Sequence, residues 1–158
     1  VLELGSGVGN LTKLIQDYCD VIPSDLSVSF INEYNPNDKA IRIDFNEKFD
    51  IPPGTEAVVS CNALHCADNK CNLMKHLYRS MEKGSSLIIA EGNRFMYDEV
   101  RWPFDFVFQL FDGWFDNSGF GTEEGWVSVI YQAGFSQIEI NRIRSGNNQI
   151  GMVICAKK

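Results

Sequence analysis

The sequence predicts an α/β fold, one open and mostly parallel sheet that ends in an antiparallel hairpin. Three observations carry that expectation. Short apolar runs alternate with segments of helical periodicity as far as Glu91, the order that builds parallel βαβ units with right-handed crossovers. A glycine loop, Gly5-Ser6-Gly7-Val8-Gly9, joins the first apolar run to the first helical segment. Near the C-terminus two strand-like runs flank Ser145-Gly146-Asn147-Asn148, a hairpin turn.

Each element follows from its residues. Val1–Leu4 is a short apolar strand, and Leu11, Leu14, Ile15 and Tyr18 recur at helical spacing up to about Cys19. Asp20–Ser24 reads as a second strand, Ser27–Tyr34 as a second helix and Lys39–Asp44 as a third strand. Two prolines and a glycine make Asp50–Gly54 a loop. Glu56–Cys61 is a fourth strand. Asn69–Lys83 is a helix packing Leu73, Met74, Leu77 and Met81, stopped at Gly84. Ser86–Glu91 is a fifth strand. Residues 95–120 then hold ten aromatics, with Phe104, Phe108, Phe111 and Phe115 at helical spacing. Thr122 offers an N-cap, Glu123 and Glu124 suit a first turn, and Trp126, Val129, Ile130 and Ala133 supply a buried face before Gly134. Phe135–Arg144 and Gln149–Lys157 are the last strands.

Composition bounds the function. The 158 residues fit a single domain spanning 1–158, with 44% apolar and 22% charged residues. No apolar run approaches the ~20 residues of a membrane span, and no signal peptide is visible, so a cytoplasmic location is expected. Five cysteines without a C-x-x-C pair predict reduced thiols, and the spacing of Cys61, Cys66 and Cys71 around His65 matches no common zinc motif; no metal is expected. A net charge of −7 without a basic cluster disfavours a nucleic-acid partner. The sequence opens at Val1, already inside a strand and without an initiator methionine, which reads as a piece of a longer protein.

The glycine loop follows a strand and precedes a helix, where backbone must approach a ligand closely. A dinucleotide fingerprint would place its third small residue at position 10, where Asn10 stands. Glu3 lies two residues before Gly5, and the form E-x-G-x-G-x-G resembles the first motif of S-adenosylmethionine-dependent methyltransferases. Asp25 falls at the end of the second strand, where an acid can accept both ribose hydroxyls. Asp44 and Phe45 end the third, where an acid can take the adenine amino group and an aromatic ring can cover the base. Three successive strand ends thus face one crevice.

Further stretches narrow the resemblance: Ser60-Cys61-Asn62-Ala63-Leu64-His65-Cys66-Ala67, a fifth strand ending in Glu91, Leu110-Phe111-Asp112-Gly113-Trp114-Phe115, and Ala133-Gly134-Phe135. Together they resemble the C-methyltransferase domains of polyketide synthases and related fatty-acid-synthase-like megasynthases, over essentially the whole chain. The resemblance implies a Rossmann-like class I methyltransferase fold, S-adenosyl-L-methionine as cofactor, and methylation of the α-carbon of a β-ketoacyl thioester. That acyl group would be pantetheine-bound on an acyl carrier protein, among neighbouring megasynthase domains. It implies cofactor binding by Glu3, Gly5, Ser6, Gly7, Gly9, Asp25, Leu26, Asp44, Phe45 and Asn62, and acceptor binding by Trp114. It makes His65 the general base and Glu91 the carboxylate that orients it, together the catalytic pair. An imidazole near neutral pKa suits that task.

The sequence departs from the family at Val8 (usually Thr) and at Phe115 (usually a second Trp), and the family's N-terminal helices do not appear before Val1. The aromatic stretch, about 93–120, reads either as a lid walling the acceptor pocket or as core. His65 alone could be a helix-capping or core histidine, Glu91 could pair with Arg94, and His76 reads as a surface residue. Two other functions stay open: a non-catalytic structural domain of a fatty-acid-synthase-like megasynthase, and a free-standing O- or N-methyltransferase for a small metabolite.

Overall fold

In the computed structural model, residues 1–29, 40–93 and 121–158 are described. Their strands form one sheet: β1 (Leu2–Leu4), β2 (Ile22–Asp25), β3 (Ile41–Arg42), β4 (Ala57–Cys61), β5 (Ser86–Gly92), β6 (Ser136–Ser145) and β7 (Asn148–Lys157). The order across it is β3-β2-β1-β4-β5-β7-β6. β1 pairs in parallel with both β2 and β4, and β5 in parallel with β4. β7 runs antiparallel between β5 and β6. The predicted parallel sheet with a closing hairpin is therefore present, and it is the class I methyltransferase fold.

Helix α1 spans Asn10–Ile15, α2 spans Lys70–Ser80 and α3 spans Glu123–Ala133. Leu2, Leu4, Val58, Leu87, Ile89, Met152 and Ile154 of the sheet form the core with Leu73, Met74 and Leu77 of α2 and Trp126 and Ile130 of α3. Tyr78 and Phe135 meet edge to face at 5.1 Å, where the end of α3 passes α2. The caps of α3 are those expected: Thr122 Oγ1 accepts from the Gly125 N–H, and Gly134 ends the helix with φ 112°.

Several boundaries differ from the sequence reading. α1 stops at Ile15, and Leu14 and Tyr18 are 69% and 88% exposed. The buried face of that helix is centred on Thr12, whose hydroxyl is drawn inward by a buried carboxylate, with Leu11 and Ile15 half-buried beside it, so apolar spacing found only part of the face. β2 begins two residues late, and β3 is reduced to two residues. α2 ends at Ser80 because Met81 is already extended; Gly84, with φ 88°, turns the chain into β5. His76 is half-buried rather than freely exposed: its Nε2 lies 2.7 Å from the Phe49 carbonyl and its ring packs edge-on against Phe49. The body of the predicted second helix, the whole aromatic stretch, Trp114 and Arg94 lie outside the described residues.

Candidate active site

The glycine loop turns sharply off β1, with Gly5, Gly7 and Gly9 all in the left-handed region that L side chains avoid. Its fold is fixed by its neighbours. The Ser6 N–H donates to the Ser24 carbonyl at 2.9 Å, and the buried Ser6 hydroxyl donates to the same oxygen. The Gly7 N–H donates to Asp25 Oδ2 at 2.9 Å, and the Ser27 N–H to Asp25 Oδ1. Beneath the loop the buried carboxylate of Glu3 accepts a hydrogen bond from the Thr12 hydroxyl, which ties β1 to α1. Thr12 was not singled out from the sequence. The signal was present: a buried acid at position 3 requires a donor, and Thr12 is the hydroxyl one turn into the following helix.

Gly5 and Gly7 differ in what surrounds them. A Cβ on Gly5 would stand 2.2 Å from the Ala63 Cβ and 3.5 Å from Phe45 Cζ, so the β4 loop and Phe45 close directly over it. A Cβ on Gly7 would meet nothing within 4 Å and would project into open space. Asp44 accepts from the Asn46 N–H and lies 3.8 Å from Arg42. Leu26 is exposed just beyond β2. Asn62 adopts φ 51°, with its N–H on the Ala90 carbonyl and its Oδ1 accepting from the Gly92 N–H, so it locks the ends of β4 and β5 together. The residues proposed for the cofactor thus gather at the carboxyl ends of β1 to β4, where open α/β sheets bind ligands. They fit S-adenosylmethionine: an open cradle at Gly7, an anchored acid at Asp25, and an aromatic ring against the loop.

The second cluster, His65 and Glu91, sits one strand further along. Glu91 is 2% exposed near the end of β5. Its Oε2 lies 2.7 Å from Nδ1 of His65, which stands in a single 3₁₀ turn, Leu64–Cys66, just after β4. Its Oε1 accepts from the N–H groups of Ala63 (3.2 Å) and Leu64 (2.8 Å). The parallel β4–β5 pairing places Cys61 beside Ala90, which brings the two side chains together. Burial alone would lower the imidazole pKa, but hydrogen bonds to Cys66 and Glu91 outweigh it and His65 is pushed up to about 9. The near-neutral imidazole expected from the sequence is therefore corrected: this histidine holds its proton at pH 7. Burial, then the nearby Glu91 and Glu3 carboxylates, push the Cys61 thiol up, so it stays protonated beside the pair.

No family model matches the chain. Among characterised sequences it is 24% identical over 153 residues to a desmethylxanthohumol 6'-O-methyltransferase of Humulus lupulus, covering 90% of this chain and 42% of that protein. It is 24% identical over 177 residues to a non-reducing polyketide synthase of Aspergillus novofumigatus, covering 99% of this chain and 8% of the synthase. The chain thus spans less than half the length of these relatives. Among solved structures, the C-methyltransferase domain of the citrinin polyketide synthase superposes with a TM-score of 0.77 at 18% identity, covering 99% of this chain and 45% of that one. Phosphoethanolamine N-methyltransferase 2 of Haemonchus contortus, in complex with S-adenosyl-L-methionine, gives a TM-score of 0.77 at 14% identity, over 99% of this chain and 48% of that one. The fold is that of the S-adenosylmethionine-dependent methyltransferases. It is the one found in polyketide-synthase C-methyltransferase domains, and the sequence resemblance extends to polyketide synthases themselves.

Proposed function

We propose that this chain is an S-adenosylmethionine-dependent C-methyltransferase domain of the polyketide-synthase kind. Its acceptor is the α-carbon of a β-ketoacyl thioester, carried by the pantetheine arm of an acyl carrier protein among neighbouring synthase domains. The observation that carries the reading is the buried His65–Glu91 contact of 2.7 Å, set beside a glycine loop with the cofactor motif. Glu3, Gly5, Ser6, Gly7, Gly9, Asp25, Leu26, Asp44, Phe45 and Asn62 are assigned to the cofactor, and Trp114 to the acceptor.

When bound, S-adenosylmethionine supplies a methyl group made electrophilic by its sulfonium. The residues of the chain do the remainder. Asp25, already anchored through Gly7 and Ser27, has lone pairs left for ribose hydroxyls. Glu91 holds Nδ1 of His65, so in the neutral imidazole, the minority form at pH 7, proton transfer from the acceptor α-carbon falls to Nε2, and the carboxylate stabilises the imidazolium that results. With the cofactor bound, the enolate carbon would take its methyl group and S-adenosylhomocysteine would depart, a displacement that depends on in-line placement more than on further acid–base help.

The test is incubation with labelled cofactor and a β-ketoacyl-pantetheine surrogate. An α-methyl product detected by mass spectrometry is expected. Label found on oxygen would favour the O-methyltransferase reading, to which the Humulus relative lends support. A folded protein that binds no S-adenosylmethionine by calorimetry would instead favour a structural domain.

A further inference from the structure

The carboxylate of Glu91 does more than meet His65. Its two oxygens engage three consecutive residues: Oε1 takes the N–H groups of Ala63 and Leu64, at 3.2 and 2.8 Å, and Oε2 meets the imidazole at 2.7 Å. All four groups are buried, with Ala63 9% exposed and Leu64, His65 and Glu91 at 5% or less. Backbone donors with nowhere else to go adopt the geometry that their acceptor dictates. The segment 63–65 is therefore shaped around this one anion.

The same segment is the roof of the glycine loop. Gly5 has no room for a Cβ because the Ala63 methyl occupies that space, 2.2 Å away. From Gly5 the contacts continue through Ser6 to the Ser24 carbonyl and through Gly7 to the Asp25 carboxylate. Contacts thus link His65, Glu91, Ala63 and Gly5, and the backbone through Ser6 carries the connection on to Gly7 and Asp25.

We propose that Glu91 is a positioning residue for the cofactor loop as well as for the imidazole, so that cofactor binding and the placing of His65 are coupled through Ala63 and Gly5. This rests on the cofactor half of the reading above and adds to it a role at a second place. A glutamine at 91 keeps an oxygen for the two N–H donors but not the negative charge toward His65; an alanine keeps neither. The two functions of the carboxylate are therefore separable.

Calorimetry with S-adenosylmethionine and with S-adenosylhomocysteine tests this on the whole chain. Glu91→Ala should weaken both ligands by on the order of tenfold or more, since two buried donors lose their acceptor at the loop's roof. Glu91→Gln should bind within a few-fold of wild type while methyl transfer stays impaired, and His65→Ala should bind normally. Gly5→Ala should lower cofactor affinity and also shift the His65 ring signals in NMR spectra. Should Glu91→Ala fail to fold, wild-type hydrogen exchange gives the same answer: the Ala63 and Leu64 amides should exchange more slowly when cofactor is added. Wild-type affinity in a folded Glu91→Ala protein, or Ala63 and Leu64 amides indifferent to cofactor, overturns the coupling while leaving the proposed function intact. A wild-type chain that binds neither ligand removes both.

Discussion

At the scale of single residues, the raised pKa of His65 has two consequences of opposite sign. The imidazole must be neutral to accept a proton, so kcat/KM should climb with pH and level off near the His65 value of about 9. Glu91→Gln removes a hydrogen bond and a charge that hold that value up, so the rising limb of the same profile should move to lower pH, with a lower plateau. A profile flat from pH 6 to pH 9 would remove His65 as the base. For folding the dependence reverses. The folded value exceeds the ordinary 6.5, so the protonated pair stabilises the protein fully below about pH 6.5, and that contribution disappears as pH rises through 9. Urea denaturation at pH 6 and pH 10 should therefore show a larger stability difference in wild type than in His65→Ala.

At the scale of elements, helix α3 makes the clearest stability prediction. Trp126 is 1% exposed and belongs to the core that α3 shares with α2 and the sheet. Its replacement by alanine should cost about 3–5 kcal/mol, read as a drop in the urea midpoint. Removing the Thr122 cap by alanine should cost only about 1 kcal/mol. Equal losses for the two would contradict this packing. α3 was legible because local chemistry marked both ends and the apolar spacing matched the buried face. α1 was partly misread because its most buried residue is a hydroxyl satisfying an acid, a pairing that apolar periodicity does not register. His76 was misread for a similar reason, since its partner is a backbone carbonyl 27 residues away. The His65–Glu91 pair was legible through the family resemblance, and the parallel β4–β5 pairing is what brings the two side chains together. The hold of Glu91 on the Ala63 and Leu64 amides was not, because every residue but proline carries an N–H and none announces which carboxylate it will meet.

At the scale of the whole molecule, the sheet is assembled from pieces far apart in the chain. The strand bearing Glu91 is flanked on one side by β4, made before it, and on the other by β7, made near the end of the sequence. Ser86 pairs with Lys157, and Gly92 with Gly151, where a Cβ would come within 2.9 Å of the Glu91 carbonyl. During synthesis, at roughly 5–20 residues per second, β5 waits several seconds with one edge bare before its partner exists. An unpaired apolar strand is a template for another chain, so this interval is the molecule's window for misassembly. A chain cut after Phe135 makes the wait permanent. It should elute as soluble aggregate in size-exclusion chromatography, and a well-behaved monomer would show that β1 to β5 need no closing hairpin. The strand that bears Glu91 is thus secured on both sides only when the hairpin arrives, and a ribosome paused before it holds a nascent chain with that strand written but not yet enclosed.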